Sequence, residues 1–202
     1  MELHEAIWRR AMVRSFSSDP VDPVIVDRLL RSALRSPTAG NTGGTAWVVL
    51  EGQAQTQRYW ETATDGDWRN RNQRRASGLM RAPVVMLAYA SPEVYVARYA
   101  ETDKAASGLG GGADRWPVPY WFGDAAFGVM AVLLAAVDAG LGACILGAFR
   151  GEPELAQQLG VPEGWRLFCA VVLGYPDERD QLSQSVGRRG PGRVERVHWG
   201  QW

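Results

Sequence analysis

One domain of helices interleaved with short buried strands is the architecture this sequence predicts, on three observations. At 202 residues the chain is long enough to bury a substantial core as a single unit spanning 1–202. Four short apolar runs, AWVVL, VVMLAYA, ACILGAF and RLFCAVVLGYP, read as buried strands. Between them lie segments whose apolar residues recur at helical spacing or run unbroken for several turns.

The elements follow in order. Residues 2–13 form a first short helix with Leu3, Ile7 and Ala11 on one side, and its end delivers Arg10 and Arg14 to the neighbouring loop. Asp22 before Pro23 is a helix start, because the carboxylate accepts orphan backbone N–H groups and proline is tolerated at the first helical position. Val26, Leu29, Leu30, Ala33 and Leu34 then make an amphipathic stripe that Pro37 ends. The loop SPTAGNTGG leads into AWVVL, and the polar stretch 53–81 holds one or two helices, with RNQRRASGLMR the better candidate. Pro83 opens VVMLAYA.

Residues 91–119 include SGLGGGADRWPVP, too rich in glycine and proline for regular structure, and are expected to form a mobile loop. DAAFGVMAVLLAAVDAG, 124–140, is apolar all round and should be enclosed by protein on every side. It is too short, and too close to Asp124 and Asp138, to cross a bilayer. After ACILGAF come a short helix in EPELAQQLG and the last strand. The closing SVGRRGPGRVERVHWGQW has too few apolar positions to fold alone.

With 22 Lys and Arg against 22 Asp and Glu, no general polyanion surface is implied, so nucleic acid is not expected as a partner. The basic residues nevertheless cluster: Arg9, Arg10 and Arg14; Arg69, Arg71, Arg74, Arg75 and Arg81; Arg188, Arg189, Arg193 and Arg196. Such clusters either converge on one small anion or are solvated helix faces. Cys144 and Cys169 sit in apolar runs without a CxxC partner and read as small core residues. The N-terminus lacks a signal peptide's apolar stretch, and a cytoplasmic location is expected.

GLGGGA at 108–113 is neither directly preceded by a strand nor followed by a helix, so it does not read as a dinucleotide-binding turn. His4 and His198 are the only histidines, which leaves little for zinc chemistry or a His-based triad. Trp116, Tyr120 and Trp121 either stack on a planar substrate or belong to a core or interface.

Three segments are informative jointly: RRAMVRSF at 9–16, SPTAGNTGG at 36–44, and GLGACILGAF at 140–149 followed by LGVPEGWRLFCAVVLGYP. In this order they resemble the nitroreductase family of flavoproteins, whose members begin with a basic RRSxRxF-like element. Those proteins also carry a proline-to-asparagine loop before the first strand and set a small-residue turn against the isoalloxazine. The closing VHWGQW is similar to the family's common ending.

The resemblance implies an α+β fold, a mixed β-sheet flanked by helices, in a homodimer with FMN between the subunits. The tail, about 183–202, would reach onto the partner subunit. It also implies ping-pong hydride transfer from NADH or NADPH through FMN to a nitroaromatic, quinone or similar small planar acceptor, with no side chain acting as acid or base. Arg10 and Arg14 would hold the phosphate or ribityl side, with Ala11 and Met12 beside them and Arg188 or Arg189 completing the phosphate site. Pro37, Thr38, Ala39 and Asn41 would line the flavin ring, and Ile145, Leu146, Gly147 and Ala148 would approach its N5 edge.

Asp124 is either a polar flavin neighbour or the N-cap of the apolar helix. The chain departs from the family at Met12, where serine is usual, and at Gly43 and Thr45, where glutamine and tryptophan are usual. Two alternatives stay open: a specialised FMN-dependent dehydrogenase, and a non-catalytic flavin- or ligand-binding module on the same fold.

Overall fold

A computed structural model of the chain describes residues 1–147, 150–181 and 197–202. Four strands, β1 (Thr45–Glu51), β2 (Val84–Ala90), β3 (Gly142–Gly147) and β4 (Arg166–Gly174), form one sheet in the order β1-β2-β4-β3. Every neighbouring pair is antiparallel. The expected mixed sheet is therefore corrected: the parallel pairing among the described residues is one isolated bridge, Met12 to Ala143. The sequence could not give strand direction, because runs buried on both faces look alike whichever way they pair.

β2 is buried at every position, and its side chains alternate between two cores. Val84, Met86 and Ala88 pack with Val26, Leu29 and Ala33 of α2 (Pro23–Leu34) and with Val129, Val132, Leu133 and Ala136 of α7 (Tyr120–Asp138). Val85, Leu87 and Tyr89 face the other way. They meet Tyr59 and Trp60 of α3 (Gln53–Ala63), Leu79 of α5 (Gln73–Leu79) and Leu155 of α8 (Glu152–Leu159). β1 is the edge strand, which is why five of its seven residues are only partly buried where a fully buried strand was expected.

Asp22 caps α2 as expected, its carboxylate accepting the Val24 N–H at 2.8 Å. Leu34, read as part of the buried stripe, is exposed beyond the last turn that packs. The first helix, α1 (Leu3–Arg9), is shorter than the expected 2–13, and its apolar side faces outward: Leu3, Ile7 and Trp8 are exposed and Ala6 is buried. Three helices occupy 53–81: RNQRRASGLMR supplies α5, and α4 (Gly66–Arg71) ends just before it at Asn72.

The expectation that 91–119 lacks regular structure is corrected. Its first third is α6 (Pro92–Tyr99), started by a proline in the first turn, and the rest is a chain of single 3₁₀ turns. Trp116 holds it down: the ring is 8% exposed, lies edge-on to Tyr95 and Tyr99, and its Nε1 donates to the Leu109 carbonyl at 3.1 Å. Glycine content hid a segment organised by aromatic burial.

α7 begins four residues earlier than the sequence indicates, and it is not enclosed all round. By composition it is long and apolar enough to cross a membrane, yet it packs on α2 and the sheet, leaving Phe127 and Met130 uncovered. The closing residues 197–202 lie exposed, His198 stacked on Trp202.

Leu29 is fully buried between α2, α7 and the sheet. Leu29→Ala should lower unfolding stability by about 2–5 kcal/mol through lost burial and the cavity left behind, measured by urea denaturation.

Candidate active site

β3 is the other edge of the sheet, and residues 12–17 are laid against it and against the exit of β4. The Val13 N–H donates to the Ala143 carbonyl at 3.0 Å, Ser17 to Tyr175 at 2.9 Å, and Asp177 back to Ser15 at 3.0 Å. Two glycines permit the approach. A Cβ on Gly142 would stand 2.7 Å from Val13, and one on Gly78 would stand 2.4 Å from the Arg14 carbonyl oxygen.

Charge then gathers along this segment. Asp180 accepts the backbone N–H groups of Arg14, at 2.7 Å, and Ser15, at 3.0 Å. Arg81 donates to the Phe16 carbonyl at 2.9 Å, to the Ser15 hydroxyl at 3.0 Å and to Asp177 at 3.3 Å. Arg179 grips the same carboxylate at 2.6 Å, and these contacts hold Asp177 well below the usual carboxylate range.

Beside these residues opens a cavity of about 520 Å³ lined by Arg14, Arg74, Arg75, Arg81 and Arg179, with Asp180. Arg81 and Arg179 are committed to Asp177. Arg14 donates to the Met12 carbonyl at 2.9 Å from one nitrogen, which leaves further N–H groups of its fork to turn to the cavity.

A second cavity, about 460 Å³, lies against Ile145, Leu146 and Gly147 of β3. Tyr59, Trp60 and Trp68 form its apolar wall, and Arg75 lines both cavities. Arg150, paired with Asp65, closes one side. Trp60 is 1% exposed, and its indole N–H finds no partner among the described residues. One space is thus lined by arginines, whose guanidiniums suit an anionic group, and the other by aromatic rings, which suit a flat one.

The residues singled out from sequence divide into groups. Arg14, Ile145, Leu146 and Gly147 line the cavities. Met12 is half-buried and bridges to β3, Ala11 is exposed, and Arg10 ends α1; none of the three lines a cavity. Pro37, Thr38, Ala39 and Asn41 form a separate loop that also lines neither.

Asp124 is not a helix N-cap. It lies in the second turn of α7, 4% exposed, and its Oδ2 accepts the Ala39 N–H and the Tyr95 hydroxyl, each at 2.7 Å. Trp116 and Trp121 are core residues around Tyr95, while Tyr120 is exposed. Ala148, Arg188 and Arg189 lie outside the described residues.

Sequence reasoning did not place Arg75, Arg179 and Asp180 at a site. The cluster of arginines at 69–81 was the signal for the first. The second and third sit in a turn whose composition, PDERD, is that of any solvated loop. Among the described residues no group of His, Cys, Asp or Glu is placed to hold a metal ion.

A sheet covered by helices on both faces, with a cationic and an aromatic cavity at the end of an edge strand, defines the class: a globular α+β domain with a small-molecule site. The chain belongs to the nitroreductase family, whose profile its residues 7–175 match.

A protein of Archaeoglobus fulgidus is 23% identical over 201 residues, covering 98% of this chain and 99% of its own. An NADH dehydrogenase of Thermus thermophilus is 26% identical over 205 residues, covering 92% of each chain. Among solved structures, the FMN- and NADPH-dependent nitroreductase NfnB of Sphigopyxis sp. strain HMH superposes with a TM-score of 0.69 at 20% identity, over 100% of both chains.

Gly78→Ala should cost about 1–3 kcal/mol by forcing α5 away from Arg14 and Ser15, read as a lowered urea midpoint. Burial pushes the Cys169 thiol up to about 12 and raises that of Cys144. Because the thiolate is the reactive form, neither should be alkylated by iodoacetamide at pH 8 in the native protein. Both should react once it is unfolded, as counted by mass spectrometry.

Proposed function

We propose that this protein is an FMN-dependent NAD(P)H oxidoreductase acting on a nitroaromatic, quinone or similar small planar acceptor, as a homodimer in the cytoplasm. One observation carries the reading: the arginine-lined cavity and the aromatic cavity at the end of β3 meet at a single shared side chain, Arg75.

The residues present fit the cofactor. Arg14, with Arg74 and Arg75, would hold a phosphate dianion by guanidinium contacts. Ile145, Leu146 and Gly147 offer a flat face on β3, with no side chain at the last position. The unpartnered Trp60 indole N–H is a buried donor with bonding capacity left over. Arg10, Ala11, Met12, Ala148, Arg188 and Arg189 are proposed around the same ligand. When bound, FMN supplies two-electron chemistry, taking hydride from NADH or NADPH and passing electrons to the acceptor in ping-pong order. The protein binds and orients; Tyr59, Trp60 and Trp68 keep water from one wall of the second cavity.

The dimer has its own support. α1 and α7 touch, and each leaves large apolar groups uncovered: Leu3 is 66% exposed, Trp8 65% and Phe127 54%. Such a patch on a folded chain marks an interaction surface. The loop 37–41 lines neither of the two cavities, so a second copy is the proposed route by which Pro37, Thr38, Ala39 and Asn41 reach a flavin. The tail 183–202 is proposed to cross to the partner in the same way.

The purified protein should be yellow, release FMN on denaturation, and bleach on addition of NADH or NADPH under argon. Arg14→Ala and Arg75→Ala should each weaken FMN binding about tenfold or more, the loss of one charge-assisted contact of about 1.5–3 kcal/mol. Light scattering should return twice the mass of one chain. A colourless monomer that takes up no added FMN sinks the proposal.

A further inference from the structure

The loop 37–41 is a single 3₁₀ turn carrying two consecutive left-handed residues, Gly40 at φ 64° and Asn41 at φ 53°. Asn41 is the one non-glycine residue with positive φ among the described residues. Asparagine enters that region more readily than other side-chain-bearing residues, and its neighbours fix it there. Inside the loop, Asn41 N–H donates to Thr38 O at 2.9 Å, the Thr38 hydroxyl accepts from Gly43 N–H at 3.0 Å, and the Thr42 hydroxyl donates to Ala39 O.

Further constraint comes from outside. Oδ2 of the buried Asp124 takes the Ala39 amide and the Tyr95 hydroxyl together. Arg98, three residues along α6, donates from Nε to the Gly40 carbonyl at 3.1 Å. Its other nitrogens are pinned by Asp103 and Glu101. The rings of Tyr95 and Tyr99 fill the spaces that a Cβ would need at Gly44 and Gly40, at 2.4 and 2.8 Å. Ser91 N–H adds a bond to the Gly44 carbonyl at 3.1 Å. Tyr95 is itself held fast, fully buried and edge-on to Trp116 and Trp121.

We propose that Asp124 and Tyr95 are positioning residues: through the Ala39 amide they lock the loop 37–41 in the geometry that presents Thr38 and Asn41 to the flavin. This rests on the cofactor and dimer proposed above. One buried carboxylate oxygen shared by a backbone amide and a phenol is a stiff joint, because leaving either donor unmade in the interior is costly.

The test uses the holoenzyme with Asp124→Asn, Asp124→Ala and Tyr95→Phe. In Asp124→Asn the side-chain amide oxygen can still accept both donors, so that variant should bind FMN within about threefold of wild type. Asp124→Ala and Tyr95→Phe should weaken FMN binding about tenfold or more and shift the visible absorption bands of the bound flavin. Backbone amides 39–41 should exchange hydrogen faster in those two variants and not in Asp124→Asn.

A purely structural role predicts lowered thermal stability in Asp124→Ala and Tyr95→Phe, with flavin affinity and band positions unchanged; that result overturns the proposal. Unaltered exchange at 39–41 overturns the lock. Faster exchange with unaltered flavin affinity overturns the flavin role and leaves the cofactor reading intact, whereas a wild type that takes up no FMN overturns both.

Discussion

A strand with no polar face must be covered on both sides, and β2, buried along its whole length, imposes that on the rest of the chain. Its even and odd side chains lead into two separate cores, so helices are needed above and below an antiparallel sheet that could otherwise leave one face in water. α2 and α7 supply one cover; α3, α5 and α8 supply the other. The middle of the sheet is thereby spent on stability, and chemistry is displaced to the margin, where β3 ends and the segment 12–17 is stitched on.

At that margin the balance of charge is worked out locally. Asp177 pairs with both Arg81 and Arg179, and Arg81 becomes a strut for the chain around Ser15 and Phe16. Arg14, Arg74 and Arg75 keep donors toward open space. Neutral overall, the protein is strongly polarised within a few residues, and this is how a chain with equal numbers of acids and bases presents a cationic hollow.

Much of this was legible beforehand, and the failures are instructive. The four strands appear where the β-branched and apolar runs lie, and the Asp22 cap needed only its own carboxylate and the following proline. Family membership was readable from the order of three weak motifs, and Arg14 with the ILG turn does line the cavities. What escaped depended on distant partners. Asp124 sits at a helix start by local reading, but 85 residues separate it from the Ala39 amide it binds. The glycines of 108–112 looked like freedom until Trp116 was seen to fold the segment onto Tyr99. The apolar side of α1 turned out to face outward, because spacing marks apolar residues without saying what covers them.

Asp180 carries one more consequence. Its carboxylate already satisfies the main-chain amides of Arg14 and Ser15, so recognition of an anion there falls to guanidinium groups rather than to these peptide dipoles. Guanidiniums sit on long stems and adjust; a row of fixed amides does not. The hollow should therefore tolerate anions of differing shape and discriminate chiefly by valence, leaving selectivity for the rest of the molecule to the aromatic wall next door.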